Sequence, residues 1–105
     1  MSAHLLVIYP QPTDPAAFER AYREKHLPYA GPRLTSGGAT SVVSKHVAAP
    51  GGASPYFAMS DVSFPTLEVL KACAASKGAK EALDHAASIS TGGPPVVLIA
   101  IDDLA

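Results

Sequence analysis

The sequence predicts a single α+β domain, a four-stranded antiparallel sheet with helices on one face, in the order β-α-β-β-α-β. Three observations carry this. The chain has 105 residues, which suits one domain over residues 1–105 and leaves no room for a second. Two segments of strand length, residues 5–8 and Val96–Ile101, are apolar at every position. Between them, helical and strand periodicities alternate, separated by turn signals.

Leu5-Leu6-Val7-Ile8 reads as a first strand buried on both faces. Pro10, Pro12 and Thr13-Asp14-Pro15 end it, and Asp14 before Pro15 is an N-cap followed by proline at the first helical position. The helix that follows sets Phe18, Tyr22 and His26 at four-residue spacing with Leu27 alongside, while Glu19, Arg20, Arg23 and Glu24 take the opposite side. Pro28 is expected to close it, and residues 31–38, rich in Gly, Pro and Ser, are expected as a loop. Residues 40–47 alternate in part, with Val43, Lys45 and Val47 on one side and Val42, Ser44 and His46 on the other. That suits an edge strand, where Lys45 discourages further pairing. Residues 48–55, with Pro50-Gly51-Gly52 and Pro55, join it as a hairpin to a third strand, Tyr56–Phe64. Thr66 caps a second helix over residues 66–75, with Leu67, Leu70 and Ala74 on one face. Ser76-Lys77-Gly78 breaks it, and a further helical segment over residues 79–89 turns Leu83 and Ala86 inward and Lys80, Glu81 and Asp84 outward. Thr91-Gly92-Gly93-Pro94-Pro95 then stops the helix before the last strand.

This order is the split βαβ, or ferredoxin-like, pattern. Right-handed crossovers put both helical connections on one face and make strands one and three the central pair. Strands one and four are apolar on both sides, so the helix-free face is left with bare Leu, Val and Ile side chains. The same face of a second copy, related by a two-fold axis, is the simplest cover and closes two sheets toward a barrel. At roughly 25 cal/mol per Å², several hundred Å² of apolar surface is worth on the order of 10 kcal/mol before association costs.

Composition narrows the function classes. The net charge of −1 and the scattered Lys and Arg residues give no reason to expect nucleic acid as a ligand or an anionic membrane as a partner. No apolar run approaches the roughly 20 residues of a bilayer span, and the N-terminal run has strand length and no basic leader, so a soluble protein is expected. Cys73 is the single cysteine; no intrachain disulfide can form, and the cytoplasm is the simplest setting.

No metal and no cofactor is expected. His4, His26, His46 and His85 lack ligand spacing, and neither a Gly-x-Gly-x-x-Gly nor a P-loop pattern occurs. No serine sits in a Gly-x-Ser-x-Gly elbow, and Cys73, beside Ala72 and Ala74, reads as a small apolar filler. His26 stands out. At the end of a helix it caps carbonyls as an imidazolium, or it serves as general acid or base at the mouth of an apolar pocket with Tyr22 as hydrogen-bonding neighbour. Asp61, a carboxylate within a central strand, needs a partner: a histidine or tyrosine from the first helix, or Lys45 or an arginine at the face that pairs with a second copy. Tyr9, Phe18, Tyr56 and Met59 are expected as apolar pocket walls around the catalytic candidates His26, Tyr22 and Asp61.

Tyr9-Pro10, Asp14, Phe18, Tyr22 and His26-Leu27-Pro28, with Pro55-Tyr56, Phe64, Leu67 and Thr91-Gly92-Gly93, give the chain a resemblance to the EthD family, named for ethyl tert-butyl ether degradation. The resemblance runs over almost the whole length and is most specific at His-Leu-Pro. It departs after Pro28, where Tyr29-Ala30-Gly31-Pro32 and Ser36-Gly37-Gly38 replace a more regular leucine-rich connection. The resemblance implies a dimeric α/β barrel and a pocket between sheet and helices for small apolar molecules. It maps the family's helix histidine onto His26 and the preceding tyrosine onto Tyr22. Proteins of this fold include cofactor-free isomerases, oxygenases and lyases. The expectation is therefore a cofactor-independent enzyme or enzyme-like accessory protein acting on a small apolar or aromatic oxygenated metabolite in a degradation or secondary-metabolite pathway. A non-catalytic hydrophobic-ligand binder and a haem-binding protein of the same fold are the alternatives.

Overall fold

The computed structural model describes residues 1–105. Strand β1 (Ala3–Pro10) leads through Asp14, whose carboxylate accepts a hydrogen bond from the Ala17 N–H at 3.1 Å, into helix α1 (Pro15–Ala21). The helix does not end at Pro28. It passes through a π-helical turn, Tyr22–His26, into α2 (Leu27–Ser36), so most of the expected loop over residues 31–38 is helical. Pro28 instead sits in the first turn of the resumed helix. The wider turn before it, in which the Leu27 N–H reaches back to the Tyr22 carbonyl, changes the hydrogen-bond register where the proline ring would meet the carbonyl four residues earlier.

Strands β2 (Ser41–His46) and β3 (Tyr56–Phe64) form the expected hairpin, and helices α3 (Leu67–Ala74) and α4 (Lys77–Ile89) precede β4 (Val96–Ile101). Thr66 and Ser76 cap the two helices through their hydroxyls. The sheet is antiparallel throughout, in the order β2-β3-β1-β4, with strands one and three central as the crossover rule requires. The fold is α+β and ferredoxin-like.

Alternation sorts the side chains. Ala3, Leu5, Val7 and Tyr9 of β1, with Ser60, Val62 and Phe64 of β3, are buried beneath the helices. One apolar cluster joins Leu5, Val62, Phe64, Leu34, Leu70 and Cys73; a second joins Val7, Tyr9, Phe18, Tyr22 and Ala86. Cys73 fills space as expected, and burial pushes its thiol pKa up. Gly37 is packed so closely over Cys73 that a Cβ there would lie 2.4 Å from Sγ. His4, Leu6, Ile8, Asp61, Val43 and Leu98 lie by register on the helix-free side, with Leu98 half exposed. The helices also leave the edge strand β4 uncovered. Val97, Ile99 and Ile101, which share the parity of the buried β1 residues, are exposed on the helix side.

Candidate functional site

The site is built on the stripe Phe18, Tyr22, His26, Ala30 and Leu34, all buried. A repeat of four residues winds around an ideal helix of 3.6 residues per turn; the π turn between Tyr22 and His26 has a longer period and removes part of that drift. The local irregularity thus keeps Tyr22 and His26 over the sheet.

Beside this stripe, α1 and the π turn face the adjoining ends of β2 and β3 across a cleft of about 110 Å³. Phe18 and Phe57 form its aromatic wall, their rings 5.8 Å apart and edge to face, and Tyr22, Ser44 and Ala58 also line it. Glu19, Arg23, Lys45 and His46 make a polar rim, with His46 paired to the Glu19 carboxylate. The Tyr22 hydroxyl lies 2.5 Å from Ser44 Oγ and 2.6 Å from Ser60 Oγ, and Ser44 and Ser60 are register partners. Three hydroxyls therefore share their protons at the base of an aromatic cleft.

Tyr9 and His26 lie behind this cluster. Tyr9 is fully buried, edge to face with Phe18 at 5.0 Å and with Tyr22 at 5.9 Å. Burial, with a smaller contribution from Tyr22, raises its hydroxyl pKa well above the usual range. His26 Nε2 is 3.5 Å from the Tyr9 hydroxyl, at the outer limit of hydrogen bonding, and Nδ1 is 2.9 Å from His85 Nδ1. Burial first, and His85 second, push the His26 pKa down to about 4, so its imidazole is neutral near pH 7. The capping imidazolium does not form, because the helix continues past this residue.

Of the expected site residues, the structure brings together His26, Tyr22, Tyr9 and Phe18, and leaves out Asp61 and Tyr56. Asp61 alternates with the buried Ser60 and Val62 and so projects from the opposite face. There its carboxylate meets His4 Nδ1 at 2.8 Å; His4 Nε2 meets Asp102 at 2.9 Å, and Ser63 Oγ is 3.2 Å from His4 Nδ1. Neither a helix partner nor Lys45 is its mate. Tyr56 pairs with Pro10 at the end of the sheet and is exposed, away from the cleft lining. Met59 borders the cleft but shares the parity of Asp61. Sequence reasoning missed Ser44, Ser60 and His85; only the placing of Ser44 on the side of β2 opposite Val43 and Lys45 pointed toward the first of them. No three His, Cys, Asp or Glu side chains gather as a metal-binding group.

Among solved structures, an EthD family protein from Bacillus halodurans C-125 superposes with a TM-score of 0.84 at 21% identity, covering 97% of this chain and 99% of that one. The chain has the EthD fold. An EthD-like protein from Ralstonia eutropha JMP134 follows with a TM-score of 0.70 at 24% identity, covering 98% of this chain and 93% of that one. A dimeric ferredoxin-like protein of unknown function from Jannaschia sp. CCS1 superposes with a TM-score of 0.63 at 17% identity, covering 95% and 97%. No family model and no curated protein matches the sequence. In this chain the cleft lies between the first helix and the β2–β3 hairpin. No helix is long and apolar enough to cross a membrane.

Proposed function

We propose that this chain is an EthD-type protein that pairs with a second copy through its helix-free sheet face. In this reading the cleft takes a small, largely apolar, one-ring oxygenated molecule on which the protein acts by proton transfer without a cofactor, as an isomerase, oxygenase or lyase. The observation that carries it is the Tyr22 hydroxyl held between Ser44 and Ser60 at the base of the aromatic cleft. Phe18 and Phe57 would flank the ring, and the oxygen of the bound molecule would meet Tyr22 and Ser44. The size fits, because a cavity of roughly 150 Å³ holds benzene and this cleft is open on one side. Tyr22 is the group that touches the reacting molecule, and His26 acts from behind it. Asp61 belongs to the pairing face, not to the chemistry.

The exposed Leu98 and Val43 on the helix-free face, and the dimeric state of the Jannaschia protein, support the homodimer. A haem-binding reading is not favoured. Both nitrogens of His26 face protein partners, and the histidine sits behind the cleft wall.

Ligand-observed NMR with a panel of phenols, cyclic ketones and aromatic lactones, each beside its deoxygenated analogue, tests the proposal. Oxygenated members should bind more tightly, and Tyr22→Phe should erase the difference, a loss of about tenfold for one hydrogen bond of this kind. Equal binding of both analogue series to the unaltered protein would reject the cleft assignment. Bound molecules recovered unchanged by native mass spectrometry, with no member of the panel converted, would favour a carrier over an enzyme.

A further inference from the structure

We infer that His85 and His26 form a proton relay connecting solvent at the outer side of α4 with the buried Tyr9 hydroxyl, His85 being its solvent end. The geometry of the pair is the first argument. The two rings are within 8° of parallel with centres 5.1 Å apart, yet their Nδ1 atoms are only 2.9 Å apart. Stacked rings cannot bring two ring atoms closer than the spacing of their planes, so these rings lie edge to edge. That is a hydrogen bond, and it requires one proton between the two nitrogens.

The requirement locks the tautomers in opposite senses. When His85 carries its proton on Nδ1, a neutral His26 carries its own on Nε2, directed at Tyr9. When His26 holds the shared proton, its Nε2 accepts from Tyr9 instead. The two arrangements differ by one proton moved along the chain. A proton taken from water at His85 Nε2 releases the Nδ1 proton to His26 Nδ1. His26 passes its Nε2 proton to a Tyr9 oxygen that has first given up its own proton along the same path in reverse, through His26 Nε2, the shared Nδ1 proton and His85 Nε2 to water. Over the outward and return passages each group gains one proton and loses one, so the net change is one Tyr9 hydroxyl proton exchanged with solvent.

The surroundings hold the outer end in place. His85 packs against the Tyr29 ring at 4.8 Å, and the Arg33 guanidinium lies 3.6 Å over the same tyrosine while also facing Glu81 at 3.9 Å. The groups facing His26 are Tyr9 from β1, Tyr22 from its own helix and His85 from α4, none of them a carboxylate that would trap an imidazolium. Burial keeps His26 neutral, the form that can switch tautomers.

The relay is tested without any ligand. In protein with tyrosine labelled at Cζ with carbon-13, dissolved in equal parts of H₂O and D₂O, a slowly exchanging hydroxyl gives two lines and a rapidly exchanging one gives a single line. The fully buried Tyr9 should give one line in the unaltered protein. His85→Asn keeps an amide where Nδ1 stood but cannot pass a proton through a ring, and it should slow Tyr9 exchange at least about tenfold and split the line. Nitrogen-15 histidine spectra near neutral pH should show opposite tautomers for His26 and His85. A split Tyr9 line in the unaltered protein, a single line in His85→Asn, or like tautomers for the pair would each overturn the relay.

Discussion

The neutral, buried His26 makes stability depend on pH in a window that it alone controls among the groups with displaced pKa values. Its pKa falls from 6.5 to about 4 on folding. Between those values the unfolded chain binds a proton that the folded chain refuses, so stability is full above pH 6.5 and declines as pH drops toward 4. Two and a half pH units at about 1.4 kcal/mol each give a loss of about 3 kcal/mol. His4 has the opposite sign, because Asp102 first and Asp61 second raise its pKa; its contribution is complete below pH 6.5 and is lost only as pH rises through the raised value. The pKa of Asp102 is lowered from 3.8 by Ser2 first and His4 second, so its contribution is present above 3.8 and is lost below it. Urea unfolding at fixed protein concentration, at several pH values between 4 and 7, should therefore show a slope in the unaltered protein that is absent from His26→Asn. The slopes are compared, not the absolute stabilities, because the substitution also removes packing. Equal slopes in the two proteins would refute the assignment of this acid sensitivity to His26.

Gly92→Ala places a Cβ 1.9 Å from the Gln11 carbonyl oxygen, and thermal unfolding should register a loss of about 1–3 kcal/mol. Cys73 should react with a thiol reagent in the folded protein much more slowly than in urea, and equal rates would contradict its burial. Leu98→Asp puts a charge on the half-exposed pairing face and should convert the proposed dimer to monomer in sedimentation equilibrium, with the far-ultraviolet circular dichroism unchanged. His4→Ala leaves Asp61 without its partner at that face and should weaken the dimer by roughly tenfold or more, whereas His4→Ala with Asp61→Asn should recover most of the affinity. A double variant no tighter than the single one would show that the pair has no part in the interface.

The strand order and the division of the sheet into a covered and an open face could be read from the sequence, because period-two alternation, capping residues and crossover handedness are all local rules. Asp14 and Thr66 cap where expected. Pro28 misled because a proline is a stop signal only if the hydrogen-bond register is held constant, and the π turn changes that register. Asp61 misled for a different reason. A buried carboxylate's need for a partner points one way and its parity the other, and parity decides, because Ser60, Val62 and Phe64 assign the covered face to the even positions. His85 could not have been found in this way. Its meeting with His26 is set by the crossing of α4 over the π turn, a long-range contact with no trace in local spacing, and Ser44 and Ser60 are too small to mark a pattern.

The displaced Asp61 also explains how one sheet supports two surfaces of opposite character. On the covered side, hydroxyls and a neutral imidazole satisfy one another without formal charge, as burial demands. On the open side, a histidine of raised pKa sits between two carboxylates and ties β1 to β3 and to the segment following β4. His4 and Asp61 are each only about one-fifth exposed even in the single chain. If a second copy covers this face, Asp61 enters the interface already partnered within its own subunit, so the apolar side chains around it can be buried without stranding a charge. In that dimer Asp61, expected from the sequence among the catalytic groups, would be what lets a largely apolar face contain an ionisable group and still pair.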